Sequence, residues 1–430
     1  MIKEQLKEAK KACRSMQNIK PEIKNKALRS ISEALIQKSE LIIEENQKDI
    51  VEAENNGIKE SMIDRLLLNK ERIEAMAQDI LKVIDLQDPI GTLVREIKRP
   101  NGLVIQQIRI PLGVIGVIYE SRPNVTVDIA SLCIKTNNVC VLKGGKEAIH
   151  SNRILVQIIN EAIKDLLPTH AVTLIETKHR EETFDLIQAH DYVDVIIPRG
   201  SAGLIQYVVK NATVPVIETG AGICHLYVDQ EANLDMALEI AKNAKIQRPS
   251  VCNAIETILV HQKVAQEFLP KLQETFKNVQ IYGDKKTRRI IDCLEATEKN
   301  YATEYDDYIC NVKVVEDMEE AIEHIYTYST KHSESIVTEN KETAKYFMES
   351  LDSACVYHNA STRFSDGGEF GFGAEVGIST QKLHARGPLG LQEITSTKYM
   401  IYGKGQVRCH SPVYGQSFFQ NIQDERNRRD

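Results

Sequence analysis

Residues Val193 to Ile217 read VDVIIPRGSAGLIQYVVKNATVPVI. Val193 to Ile197 is short, apolar and rich in β-branched residues, as a buried strand requires. Pro198-Arg199-Gly200-Ser201-Ala202-Gly203 interrupts it, LIQYVVKNA carries helical spacing, and Val214 to Ile217 reads as a further strand. Continuous apolar strands alternating with helices describe a parallel sheet covered on both faces. Ligands of such sheets bind at the carboxyl ends of the strands.

The same rhythm extends outward from residue 112 to about 225. Gly113 to Tyr119 (GVIGVIY) and Cys140 to Leu142 are strands, the second running into Lys143-Gly144-Gly145. SNRILVQIINEAIKDL is a helix, and Ala171 to Ile175 another strand before the helix REETFDLIQAH. A second α/β section begins at Cys224 (CHLYVD) and runs to about Tyr357, with helices NLDMALEIAKNAK and HQKVAQEFLPKLQETF between strands AIETILVH, VQIYG and VKVV. Glycines then crowd into SDGGEFGFGAEVG at 365 to 377, a loop whose backbone can approach a ligand closely.

Residues 1 to about 90 are helical, with Leu28, Ile31, Leu35 and Ile42 on one face and a break at Asn56-Gly57. After them, Pro100-Asn101-Gly102 lies between two alternating runs, a hairpin signal. Its edges are a liability unless covered, so the hairpin is expected to pair with a neighbouring subunit.

The 430 residues carry 54 Lys and Arg against 61 Asp and Glu, a net charge of −7. That balance argues against a nucleic-acid partner, which selects a basic face. The N-terminus lacks the apolar core of a signal peptide, and no apolar run approaches the roughly 18 residues of a membrane helix, so a cytoplasmic location and no membrane partner are expected. Nine cysteines are scattered without a CxxC pair, and the histidines show no paired metal spacing, which suggests buried thiols and no metal.

One thiol stands apart. Cys252 lies in QRPSVCNAIETILVH, in a polar loop with Arg248, Ser250 and Asn253. A nucleophile there needs exposure and a lowered pKa; Arg248 or backbone N–H groups could lower it by ~2 units. A small filler in a loop fits the same composition. Gly200-Ser201 opens a helix after a strand, where N–H groups can meet a phosphate or simply make a tight turn. Lys143 ends a strand and can reach a ribose or a phosphate, or stay solvated. Asn124, in SRPNVT, can donate to an oxyanion or serve a turn beside proline. Glu218, in IETGAG, can be a general base or a surface acid.

Taken in order, IPLGVIGVIYESRPNVTVDIA, CVLKGGKEAIHSN, QRPSVCNAIETILVH, HSESIVTEN and HNASTRFSDGGEFGFGAEVGISTQKLHARGPLGL resemble the aldehyde dehydrogenase superfamily up to about residue 405. The closest likeness is to its branch that reduces L-glutamyl 5-phosphate to L-glutamate 5-semialdehyde, the second step of proline biosynthesis from glutamate. The resemblance implies two Rossmann-like parallel-sheet domains and an oligomerisation hairpin. Residues 1–95, 113–224 and about 360–390 would form the NADP-binding domain, 225–359 the catalytic domain, and 96–112 with about 391–408 the hairpin; 409–430 have no counterpart. It makes Cys252 the nucleophile, Asn124 the oxyanion donor, and Lys143, Gly200, Ser201 and Glu304 (in TEYDDY) contacts of NADPH or NADP. Glu218 falls where hydrolytic relatives keep their general base and is a secondary candidate.

The chemistry so implied is attack of the Cys252 thiolate on the acyl phosphate, loss of phosphate, and reduction of the thioester. The amino-acid end of the substrate needs a carboxylate clamp, for which Arg363, Arg122 and Ser379 are candidates. A labile acyl phosphate makes hand-over from a glutamate 5-kinase chemically attractive, although no interaction motif marks it. Two rival readings remain at this point. One is a hydrolytic NAD(P)-dependent aldehyde dehydrogenase using Glu218. The other is an inactive oligomeric nucleotide-binding relative.

Overall fold

The computed structural model describes residues 2–58, 60–176 and 181–408, so the tail from Cys409, including that cysteine, lies outside the described residues. The chain divides into two compact units, Met1–Ile90 with Ile110–Ser396, and Gly91–Arg109 with the chain from Thr397.

The larger unit opens with five helices: α1 (Ile2–Met16), α2 (Pro21–Gln37), α3 (Ser39–Asn55), α4 (Glu60–Leu66) and α5 (Lys70–Asp85). The break read at Asn56-Gly57 is where α3 ends, and Gly57 takes the left-handed φ of +66° that such an exit demands. Leu6, Met16, Leu28, Ile31 and Leu35 turn one apolar stripe of α1 and α2 into a shared core.

The smaller unit is an antiparallel hairpin of β1 (Leu93–Lys98) and β2 (Val104–Pro111), to which the strand Thr395–Tyr402 adds. Its turn closes through Arg99 N–H to the Leu103 carbonyl at 2.8 Å, with Gly102 at φ +88°. Leu93, Val94, Tyr399, Ile401 and Tyr402 are exposed on this unit.

Within the larger unit two parallel sheets follow. The first comprises β3 (Val114–Tyr119), β4 (Val139–Gly144), β5 (Val172–Leu174) and β6 (Val195–Arg199) in the order β5-β4-β3-β6. Helices α6 (Asn124–Lys135), α7 (Ile149–Ile163) and α8 (Glu181–Ile187) connect them, and α9 (Ala202–Asn211) follows β6. Every residue of β3 and β4 is buried, which is why both strands read as unbroken apolar runs. The expected strand Val214 to Ile217 is reduced to a single bridge, Ile196 to Val216. Pro215 accepts from the Ile196 N–H at 2.8 Å but has no N–H to extend the ladder. Val376, Ala385, Leu389 and Leu391 also enter the core of this sheet.

The second sheet has seven strands: β7 (Cys224–Val228), β8 (Ile255–His261), β9 (Gln280–Gly283), β10 (Leu294–Glu295), β11 (Ile309–Val315), β12 (Ser333–Val337) and β13 (Cys355–His358). All its pairings are parallel, in the order β10-β9-β11-β8-β7-β12-β13. Helices α10 (Leu234–Ile246) and α11 (Gln262–Thr275) bury Ala237, Ala241, Ala244, Phe268 and Leu272 against it. No helix among the described residues is long and apolar enough to cross a membrane.

A charged pair is sealed under the loop that joins α10 to β8. Lys245 Nζ donates to Glu256 Oε2 at 2.8 Å, and both side chains are almost wholly buried. Burial pushes the Glu256 carboxyl upward, against the pull of that ammonium. Removing one partner strands the other charge in the core, which typically costs about 3–5 kcal/mol, whereas replacing both by apolar groups can be neutral. Lys245→Met should therefore lower stability by about that amount in urea unfolding, and Lys245→Met/Glu256→Leu should recover most of it. Equal stability of Lys245→Met and the unmodified chain would contradict this reading.

Candidate active site

Two sets of strand ends supply the candidate residues. The first sheet contributes carboxyl ends, with Lys143 near the end of β4, Arg199 at the end of β6, and Arg122 and Asn124 just after β3. The second sheet contributes amino ends, because Gly222 precedes β7, Cys252 precedes β8 and Glu304 precedes β11. The rule that ligands gather at carboxyl ends thus covers only half of the set.

The Cys252 loop is fixed from several sides. Gly222 passes so close that a Cβ there would lie 1.4 Å from the Cys252 carbonyl oxygen, which only glycine permits. Cys224 Sγ donates to that same carbonyl at 3.2 Å. Thr362 Oγ1 donates to the Asn253 carbonyl at 2.7 Å, and Asn253 Nδ2 donates to the Ser365 carbonyl at 2.9 Å. Arg65 of α4 donates to the Ser250 carbonyl at 2.9 Å. The Gly222 N–H in turn donates to Glu304 Oε1 at 2.6 Å, so Glu304 braces the segment beneath the thiol.

Cys252 keeps partial exposure, but its thiol is not the pre-ionised group expected from the sequence. Burial, with Glu375 and Glu304 adding negative charge, pushes it up to about 12, and Arg199 and Arg122 offset this only in part. The expected lowering of about 2 units by Arg248 or backbone N–H groups is therefore corrected: desolvation and two carboxylates outweigh the nearby cations. Burial also pushes Glu375 and Glu304 up to about 7 each, within reach of proton exchange at neutral pH.

Asn124 opens α6 half-buried, and its Nδ2 donates to Asp128 Oδ2 at 3.0 Å, one helical turn on. Asp128 is pushed up to about 7, chiefly by burial. A side-chain amide has two N–H donors, so holding one on Asp128 orients the other.

Lys143 is buried, its ammonium donates to the Gly144 carbonyl at 3.0 Å, and burial lowers its pKa. Ser201 caps α9 through its hydroxyl, which accepts from Leu204 N–H at 3.4 Å. The Ser201 N–H donates to Glu120 Oε2 at 2.7 Å, so an anion arriving there must share or displace that carboxylate. A buried lysine at a strand end and a capped helix start fit the ribose and phosphates of a dinucleotide. Lys146 is exposed in the short helical turn after β4.

Arg363 is held by neutral partners: its Nη1 donates to Asn253 Oδ1 and its Nε to Gln247 Oε1 at 3.2 Å. Ser379 is fully buried and its hydroxyl accepts from Gln381 N–H at 3.4 Å. The Glu218 N–H donates to Gln381 Oε1 at 2.9 Å, which ties it to the chain just after the glycine-rich segment. Asp128, Arg199, Glu375 and Arg65 escaped the sequence reading: the first three lie inside the quoted stretches, but nothing in their local sequence shows that the fold gathers them near Cys252. A cavity of about 490 Å³ lies away from all of these, lined by Gln5, Arg153, Asn160 and His170. Among the described residues, no three His, Cys, Asp or Glu side chains gather as metal ligands.

The aldehyde dehydrogenase family matches residues 1–298. The γ-glutamyl phosphate reductase of Clostridium novyi (strain NT) is 54% identical over 404 residues, covering 93% of this chain and 97% of the relative. That of Halothermothrix orenii is 52% identical over 415 residues, covering 95% and 99%. The crystal structure of γ-glutamyl phosphate reductase from Thermotoga maritima superposes with a TM-score of 0.91 at 47% identity, covering 94% of this chain and 99% of that one. An acetylating aldehyde dehydrogenase from Geobacillus thermoglucosidasius shares the fold, with a TM-score of 0.71 at 16% identity and coverage of 95% and 97%. On the identity and coverage of these relatives, the chain belongs to the aldehyde dehydrogenase family and, within it, to the γ-glutamyl phosphate reductases.

Proposed function

We infer that the chain reduces L-glutamyl 5-phosphate to L-glutamate 5-semialdehyde and phosphate, the proline-biosynthetic step of its named relatives. The observation that carries this is Cys252, clasped at the amino end of β8, in a chain about half identical to those relatives along nearly its whole length. A member of this family uses a nicotinamide cofactor. NADPH is our choice over NADH, with Lys143, Gly200, Ser201 and Glu304 as its contacts and Lys146 available to a 2′-phosphate. When bound, the cofactor supplies the hydride that reduces the acyl group.

The residues divide the remaining work. Cys252 attacks the acyl carbonyl, and its thiol must first lose a proton; Glu375 and Glu304, whose carboxyls are pushed up to about 7 and act on that thiol, are our candidates to take it. Asn124, oriented by Asp128, donates its free N–H to the oxyanion that develops as the thioester forms. Arg363 is the candidate for the substrate's α-carboxylate, since the partners that hold it are neutral amides that leave its charge available. Ser379 is fully buried and so is kept only as a candidate through its backbone groups. Closure against water protects the thioester from hydrolysis. Glu218 is not required as a base in this scheme, and neither the hydrolytic nor the inactive reading is favoured by the relatives. The exposed apolar residues of the hairpin unit support its role as a contact with a second copy of the chain.

Two outcomes are expected. Run in reverse, purified protein with glutamate semialdehyde and NADP should reduce the cofactor only when inorganic phosphate is present, read by nicotinamide absorbance. Reduction without phosphate would instead indicate a hydrolytic enzyme with Glu218 as its base. In the free enzyme, Cys252 alkylation by iodoacetamide should rise about tenfold per pH unit up to at least pH 9, because a thiol pushed up to about 12 stays protonated throughout that range. A plateau near pH 7 would mean that the thiol is already ionised.

A further inference from the structure

Two arginines lie near enough to act on the Cys252 thiol, and among the described residues neither has a carboxylate within salt-bridge distance, although Glu375 acts on both from farther away. Arg122 sits in the turn after β3, where Ser121 takes φ +44°. That turn is locked, because Glu147 Oε1 accepts from the Ser121 N–H at 2.8 Å and from its hydroxyl at 2.9 Å. The Arg122 carbonyl accepts from Val125 N–H at 3.1 Å. The backbone is therefore fixed while the guanidinium projects without a hydrogen bond or ion pair among the described residues. Burial, followed by the repulsion of Arg199 and Arg65, lowers its pKa to about 10.

Arg199 ends β6, in register with Tyr119 at the end of β3, the strand that leads to Arg122. Its side chain lies across Gly377, where a Cβ would come within 2.8 Å of Nη1, and Nη1 donates to the Val376 carbonyl. Among the described residues no carboxylate pairs with it within salt-bridge distance. Paired carboxylates are the usual condition for partly buried arginines. Arg199 at the end of β6 and Arg122 in the turn after the neighbouring β3 both act on the Cys252 thiol, and the carboxyls they act on, Glu375 and Asp128, are each pushed up to about 7, which leaves the two guanidinium charges only partly balanced.

We propose that Arg122 and Arg199 form the subsite for the phosphoryl group of the acyl phosphate, and for inorganic phosphate in the reverse direction. This rests on the acyl-phosphate reading above. The pair suits a dianion better than a singly charged carboxylate, which the separately held Arg363 can take. As the bond from Cys252 sulfur to the acyl carbon forms, the bond from that carbon to the phosphate oxygen breaks. The electron pair goes to the phosphate oxygen, and the two guanidinium groups stabilise the charge that grows there. Arg122 accordingly moves from the carboxylate clamp suggested by the sequence to the leaving-group side.

The test is reverse-direction kinetics of Arg122→Met, Arg199→Met and the corresponding lysine variants, with inorganic phosphate as the varied substrate. The Met variants should raise the KM for phosphate at least tenfold while the KM for NADP changes less than twofold. The lysine variants, keeping the charge but losing the two-pronged donor, should fall between. In parallel, phosphate should slow iodoacetamide alkylation of Cys252 in the unmodified enzyme and not in the Met variants. If a Met variant fails to fold, its lysine counterpart decides, and a phosphate KM within twofold of the unmodified enzyme overturns the assignment. Unchanged phosphate KM and unchanged protection in folded Met variants also overturn it. Loss of phosphate dependence in the unmodified enzyme would sink the acyl-phosphate reading itself, a separate result.

Discussion

The backbone of Gly222 lies against the carbonyl of Cys252, and the placement of the nucleophile depends on that contact. With 1.4 Å between a notional Cβ and the carbonyl oxygen, no side chain can stand there. Glu304 holds the Gly222 N–H from one side, and Cys224 donates to the Cys252 carbonyl from the other. The loop is thus pinned by the close backbone of Gly222 and by the side chains of Cys224 and Glu304, at or before the amino ends of the parallel strands β7 and β11. A thiol carried on such a support has little freedom to search for its target. This suits a reaction in which a displacement of about 1 Å can cost about a hundredfold in rate.

The same packing that fixes the thiol also keeps it protonated. Desolvation and the charges of Glu375 and Glu304 act against the thiolate, and the arginines do not fully compensate. The site therefore holds its nucleophile in reserve. Its carboxyls Glu375 and Glu304 sit near neutrality.

Much of this was legible in the sequence, for definite reasons. The strands of the first sheet announce themselves because β3 and β4 are buried on both faces, and Asn101-Gly102 marks the hairpin through turn chemistry. Cys252, Asn124 and Lys143 are visible because their neighbours form extended runs with a family likeness. Pro215 misled, since an apolar run containing it reads as a strand that its missing N–H cannot complete. Arg248 is near Cys252 in sequence, but what sets the thiol's pKa is first its burial in the assembled fold and then Glu375, Arg199, Glu304 and Arg122, which come from four distant segments. Charge balance at a site is a property of the assembled fold, and no local window contains it.

The central claim is that Cys252 carries the acyl group. The most direct measurement is intact-protein mass spectrometry after mixing the enzyme with L-glutamyl 5-phosphate, generated in place by a glutamate kinase, without reduced cofactor. The account predicts one glutamyl adduct per chain, mapping to Cys252, with release of one equivalent of phosphate and no adduct in Cys252→Ala. Phosphate release with no adduct on the unmodified chain, or an adduct that survives in Cys252→Ala, would contradict it.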